Sequence, residues 1–341
     1  MRKCTIVGVA VLAMSWAPLA AQQPTLSPEH ALLKEMAGAW NVTATGPTTA
    51  AGQAGPSVQQ ETSELVCGGF WLETVTRSGN SEMFWLTGFD PGPHRFVRLR
   101  VAGRAEPVLE DGEFDAEHRT ITWRGRSALA RRIGMQDVVT LRVGEARVDR
   151  TVRVAGGDQP LIERVFAPAK QDGRGVPKRE QPKAPAPEYE LLAQFAGDWE
   201  CALLATMPGM EKPMRSTGRM REELVGDGCW LRSSFESEFG GSKIEGRGLL
   251  GFDRKQMRYV RYWADSGSPV LAISSSALDP TGKKLIGTGT TLMPRGEVTI
   301  EEEVELGSDL RRVVQRLRTS EGKDAGSFEM VMTRRPPQKA K

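Results

Sequence analysis

Arg261, Trp263 and Asp265 fall on one face of a short alternating run, with Tyr262 on the other. An indole, a guanidinium and a carboxylate on one wall suit a small ligand with an apolar body and a polar head. Arg247, within Glu245-Gly246-Arg247-Gly248, sits on the preceding run, and it and Tyr262 join the same candidate ligand pocket. Two other arrangements use the same residues: an internal ion pair that satisfies buried charge, or an outward face near a barrel mouth. Strand alternation leaves the choice open, because it does not say which face is inside.

Other patterns point away from catalysis. Gly246-Arg247-Gly248-Leu249-Leu250-Gly251 fits the G-x-G-x-x-G expression, whose chemistry needs a helix directly after the glycines to hold a pyrophosphate. Here a turn and another strand follow, so the glycines read as bends in a closing sheet. The only histidines are His30, His94 and His118, so the second half has no histidine metal ligand and no Ser-His pair. There is no Gly-x-Ser-x-Gly, no His-Glu-x-x-His and no Walker loop. No catalytic residue, metal or cofactor is assigned. Met207, Met210 and Met214 offer thioethers that suit Cu(I), but without His or Cys beside them they read as a flexible apolar lid. Glu301-Glu302-Glu303 reads as a solvated acidic edge.

The elements that must position these residues are announced by a long repeat. Pro28 to Trp40 returns as Pro187 to Trp199, and Trp71 returns as Trp230, each 159 residues on. So long a period means two tandem domains rather than a solenoid. Each repeat opens with a short helix: Leu32, Leu33 and Met36 form its stripe before Gly38, and Leu191, Leu192 and Phe195 before Gly197. Helical periodicity then gives way to short alternating runs at intervals of about ten residues. In the second repeat these are 229–237, 244–252, 257–263, 270–278, 284–292, 297–306, 311–319 and 327–334. With the run after Trp199 that makes about nine strands, a meander most economically closed into a barrel without exposed edges.

The layout expected is a signal peptide at 1–21, a first barrel at 27–167, a linker at 168–186, a second barrel at 187–335 and a tail at 336–341. Arg2 and Lys3 precede an apolar stretch at 5–16, and Pro18-Leu19-Ala20-Ala21 supplies small residues for cleavage. That stretch is well short of the ~20 residues that span a bilayer, so the reading is export to the periplasm or beyond, with no membrane span afterwards. Cleavage would take the formal charge from +3 to +1, and much of the remaining excess lies in the Pro- and Lys-rich linker. Two near-neutral domains argue against a nucleic-acid partner. An oxidising compartment permits a disulfide between Cys201 and Cys229, which share a domain; equally, both can be small buried residues.

Gly228-Cys229-Trp230, Glu245-Gly246-Arg247-Gly248, Gly251-Phe252-Asp253 and Trp263-Ala264-Asp265-Ser266 together resemble the bacterial family catalogued as domain of unknown function 1579. The resemblance runs through the second repeat and implies a calycin-type β-barrel, similar in outline to lipocalins, with no established activity. The first repeat keeps Gly38-Ala39-Trp40, Gly69-Phe70-Trp71 and Gly88-Phe89-Asp90 but has Leu99-Arg100-Val101 where the second has Tyr262-Trp263-Ala264, so it is the degenerate copy. The resemblance also implies that Trp40 and Trp199 close their barrels, with Arg334 stacking on Trp199 by a cation–π contact. Phe166 stands at the corresponding strand end of the first repeat.

These readings lead to an exported, non-enzymatic protein of two barrels, the second binding a small apolar or amphiphilic ligand. Two alternatives stand beside it: a structural or interaction module of the cell envelope without a cavity, and an enzyme built on acidic residues.

Overall fold

The alternating runs become twenty strands and two helices in a computed structural model that describes residues 25–45, 57–79, 81–125, 135–140, 148–153, 161–169, 187–239, 241–293 and 296–336. The expected signal peptide, most of the linker (170–186) and the end of the tail (337–341) lie outside the described residues. No helix among the described residues is long and apolar enough to cross a membrane.

In the first repeat, helix α1 (His30–Met36) precedes β1 (Gly38–Thr45), β2 (Ser57–Val66), β3 (Trp71–Ser78), β4 (Ser81–Asp90) and β5 (Arg95–Ala102). β6 (Val108–Asp115), β7 (Thr120–Gly125), β8 (Met135–Thr140), β9 (Val148–Arg153) and β10 (Leu161–Pro168) follow. The second repeat has α2 (Pro187–Phe195), then β11 (Gly197–Thr206), β12 (Met214–Val225), β13 (Trp230–Phe239), β14 (Ser242–Asp253) and β15 (Arg258–Asp265). It ends with β16 (Ser268–Leu278), β17 (Lys284–Met293), β18 (Gly296–Glu305), β19 (Leu310–Thr319) and β20 (Asp324–Arg334). In each repeat every strand pairs antiparallel with its sequence neighbours, and the last strand pairs with the first. Both sheets are therefore closed ten-stranded barrels, and closure leaves no strand edge for another chain to pair with.

The count is one more than the sequence indicates. The added strand is β12, whose Arg-Ser-Thr-Gly-Arg stretch carries almost no apolar signal. Its inward positions are Gly218, Met220 and Glu222, and only the latter two are buried.

One contact settles which face is inside. Arg261 on β15 donates to Glu302 on β18 at 3.0 Å, although two strands separate them around the wall. Only side chains crossing the interior can meet that way. Register between strands and alternation along each strand then carry the assignment around the barrel, from Trp199 through Met220, Phe235, Gly248, Trp263 and Ser274 to Glu302, Gln315 and Met330.

The outward faces of β3–β5 and β13–β15 are buried too, because the barrels pack on one another. Trp71, Phe84, Leu86, Leu99 and Val101 join Trp230, Leu249, Val260, Tyr262 and Ala264 in one apolar cluster. This is why β4 is buried from Phe84 through Phe89 without alternation. The packing is reciprocal. The Cys67 thiol, at the start of a 3₁₀ turn (Cys67–Gly69), faces the Ala264 carbonyl at 3.6 Å. The indole N–H of Trp230 donates to the Gly103 carbonyl at 3.0 Å. In each case the loop after the second strand of one repeat meets the end of the fifth strand of the other. That is the signature of an isologous, two-fold contact, here made within one chain. Because the fifth strand ends at the open rim and the second at the helix-capped end, the two mouths point in opposite directions.

Candidate functional site

The helix-capped end of the second barrel is sealed by Trp199, which is fully buried. Its indole N–H donates to Phe195 O at 3.0 Å, tying β11 to α2. The guanidinium of Arg334 lies 4.2 Å from the ring centroid and that of Arg311 4.7 Å away, so two cations share one π-system. Arg334 also donates at 2.6–2.7 Å to the carbonyls of Gln194 and Ala196, satisfying the end of α2, and to that of Ser308 in the loop before β19. Tyr259 completes the seal, its hydroxyl donating to Glu188 O at 3.1 Å.

The middle layer is polar. Glu222, 7 % exposed, accepts from Ser233 Oγ at 3.1 Å and is ion-paired to Arg311. Glu302, 3 % exposed, accepts from Arg261 Nη1 at 3.0 Å and Gln315 Nε2 at 2.7 Å. Burying a charge is costly unless it is paired and hydrogen-bonded, and both carboxylates meet that condition. Glu302 corrects the sequence reading: of the three consecutive glutamates, Glu301 is exposed and Glu303 half-buried, but Glu302 lies on the barrel axis side.

Towards the open end stands Trp263, half-buried, with its N–H donating to Asp265 Oδ2 at 3.0 Å. Asp265 Oδ1 also accepts from Gly267 N at 2.8 Å. Burial pushes the Asp265 carboxyl above the usual range, against the pull of these hydrogen bonds. Phe235 packs on Trp263 at 6.1 Å. The indole lies over Gly246 and Gly248, where an added Cβ would collide with the ring, 2.8 Å from it at Gly248. The third glycine of the motif, Gly251, faces outward and makes the same room for Trp230. The G-x-G-x-x-G pattern is thus a bed for two indoles on opposite faces of one strand.

Of the five residues proposed for the pocket, Arg261, Trp263 and Asp265 are brought together inside the barrel. Tyr262 and Arg247 are on the outer face. Tyr262 is 8 % exposed in the inter-barrel cluster, and Arg247 Nε stands 3.4 Å from Glu73 Oε2 of the first barrel. Cys201 and Cys229 are separate buried thiols rather than a disulfide. Cys201 faces the interior beside Met332, whereas Cys229 sits in the turn before β13. Burial pushes the Cys201 thiol up to about 12.

Sequence reasoning missed Glu222, Arg311 and Gln315. Their signal was a charged or amide residue in phase with apolar ones, as in Arg311-x-Val313-x-Gln315-x-Leu317. In the first barrel Trp40 meets Phe166 edge-on at 6.5 Å, and its register partner is Pro168 where Trp199 has Arg334. Nor has the Trp263 position simply lapsed. Gly88-Phe89-Asp90 recurs 163 residues on as Gly251-Phe252-Asp253, which matches Trp85 to Gly248 and Arg100 to Trp263. Trp85 and Arg100 are register partners, as Gly248 and Trp263 are, so the indole has moved to the neighbouring strand. Among the described residues no group of three or more His, Cys, Asp or Glu side chains is placed to hold a metal ion.

A ten-stranded antiparallel barrel opened by a short helix and a Gly-x-Trp indole defines a calycin-like barrel, present here in two tandem copies, the second with an arginine over the indole. The chain belongs to the family described as protein of unknown function DUF1579, whose model matches residues 25–148 and 184–334. No curated protein matches it. A DUF3598-family protein of unknown function from Nostoc punctiforme is similar at 12 % identity, covering 91 % of this chain and 100 % of that one, with a TM-score of 0.27. The S-type phycobiliprotein lyase CPES from Guillardia theta shares 15 % identity over 48 % of this chain and 100 % of its own, with a TM-score of 0.34. A putative outer membrane protein from Bacteroides fragilis shares 9 %, covering 89 % and 99 %, with a TM-score of 0.22. At such identity and superposition nothing of those proteins' roles carries over.

Proposed function

We propose that this is an exported, non-enzymatic protein whose second barrel takes up a small, partly apolar molecule through its open end. The observation that carries the reading is the placement of Arg261, Trp263 and Asp265 on the inner wall, at and above the Glu302 layer. Trp263 and Phe235 offer an apolar contact, while Arg261 and the Ser274 and Ser237 positions offer polar ones. Export rests on the basic, apolar and small-residue order of residues 2–21.

Native mass spectrometry of the full-length protein made in its own host tests both parts. The expected result is a mature mass beginning at Gln22, with an additional bound mass that Trp263→Ala removes at little cost to Tm. A clean apo mass, with no thermal shift across a lipid and metabolite panel, overturns the ligand reading and favours the envelope module. The Arg261–Glu302–Gln315 cross-brace is the feature that would serve such a module.

A further inference from the structure

We propose that the interior of the first barrel is a second, separate binding site, for a small carboxylate-bearing aromatic molecule. The inference goes beyond the reading of the second barrel and does not depend on it.

Arg98 and Arg100 occupy alternate positions of β5, and Arg98 matches Arg261 by the 163-residue offset, so both point inward. Arg98 is 2 % exposed and its guanidinium is stacked between two indoles, 4.3 Å from the Trp123 centroid and 5.1 Å from Trp85. Arg100 and, from β10, Arg164 each lie 5.8 Å from the same Trp85 ring. The result is a Trp85 indole ringed by three guanidinium groups, with Arg100 and Arg164 nearer the open rim.

Glu110 accepts from Arg98 at 2.7 Å and Arg100 at 2.8 Å, and Glu61 accepts from the hydroxyls of Ser63 and Thr76 at 3.3 Å. Net charge is therefore not the argument; donors are. The indole N–H groups of Trp40, Trp85 and Trp123 are buried with no hydrogen-bond partner among the described residues. Trp85 is 5 % exposed and Trp123 fully buried. In the second barrel the comparable indoles are satisfied, Trp199 by Phe195 O and Trp263 by Asp265. A native interior pairs its buried polar groups; among the described residues the second barrel leaves one such donor, Arg311 Nε, against these three indole N–H groups in the first, and that concentration marks a place for an acceptor from outside. Guanidinium groups and indole N–H together match a carboxylate, and the stacked faces of Trp85 and Trp123 match a planar ring. An aromatic carboxylate has both.

Isothermal titration of the full chain with 2-naphthoate, and with 2-naphthamide as the neutral counterpart, tests the assignment. Naphthoate should bind saturably and roughly tenfold or more tightly than the amide, the increment of a charge-assisted hydrogen bond. Trp85→Phe keeps an aromatic face but removes the pyrrole ring with its N–H donor, and Arg100→Gln removes the charge; each should weaken naphthoate binding by about tenfold. Trp263→Ala should leave it unchanged. Trp85→Phe, the milder change, decides the matter if Arg100→Gln fails to fold. Absence of saturable binding overturns the proposal. So does equal affinity for acid and amide, or binding lost in Trp263→Ala but retained in Trp85→Phe.

Discussion

Glu73 and Arg232 are the same position in the two repeats, 159 residues apart, and they meet across the inter-barrel contact at 3.1 Å. Equivalent positions touch each other only on a two-fold axis, so this pair marks the axis of the packing. Divergence after duplication has made the self-contact complementary. Two glutamates or two arginines there would repel in a poorly solvated place. Arg247 and Glu223 complete the cluster, the latter paired with Arg232.

Burial pushes the Glu73 carboxyl above the usual range, with Arg232 and Arg247 pulling the other way. A carboxyl whose folded value lies above its unfolded value contributes stability at acid pH. That contribution is lost as pH rises through the folded value. Denaturation of the parent and of Glu73→Gln at about pH 4 and pH 8 reads this directly. The difference between them should shift in favour of the glutamine variant as pH rises. A shift in favour of the parent would mean that the arginines, not desolvation, dominate the site.

The seal at Trp199 should carry much of the second barrel's stability. Arg334→Met keeps the length and apolar stem of the side chain but removes a cation–π contact and three carbonyl hydrogen bonds. A loss of about 2–4 kcal/mol in urea unfolding is expected, since a hydrogen bond from a charged donor is worth ~1.5–3 kcal/mol and part of this site is solvated. A loss below ~0.5 kcal/mol, the range of an ordinary surface substitution, would show that Arg311 alone holds the indole.

How much of this was legible in the sequence depends on how many faces of a strand are buried. Where one face meets solvent, as on β11 and β18, alternation identifies the strand and its inner side. β15 lies between its own barrel's interior and the other barrel, so Val260, Tyr262 and Ala264 are as buried as a core face. Alternation separates the two faces but does not say which one is inside, so Tyr262 and Arg247 read as pocket candidates beside Trp263. β12 fails in the opposite way, since the middle of its inner face is serine, glycine, methionine and glutamate and its outer positions are mostly charged. The exchange of Trp85 for Trp263 was hidden because it preserves the pair of facing positions and not the residue at either one.

The glycine bed gives a test that separates packing from nucleotide binding. Gly248→Ala would place a methyl group 2.8 Å from the Trp263 ring. Overpacking of this kind costs ~1–3 kcal/mol and forces the indole off its position. The near-ultraviolet circular dichroism of the tryptophans should change while the far-ultraviolet spectrum persists. NAD should cause no thermal shift in parent or variant; a saturable shift would restore the nucleotide reading.

The three buried cysteines allow the compartment argument to be checked against the fold. Cys67, Cys201 and Cys229 are all free and buried, and burial raises the pKa of each thiol. A thiolate is the reactive form, so both access and ionisation are withheld in the native state. Protein beginning at Gln22 should react negligibly with an aromatic disulfide reagent at neutral pH. On denaturation without reductant it should then release three equivalents, one for each free cysteine. A count of one would reveal a Cys201–Cys229 bridge and require β11 and the turn before β13 to approach more closely than they do here. Fast reaction of a thiol in the native protein would point instead to Cys67 or Cys229, which sit in the loops that make the contact between barrels. It would mean that the two-fold packing opens in solution, since Cys67 is otherwise covered by the Ala264 carbonyl.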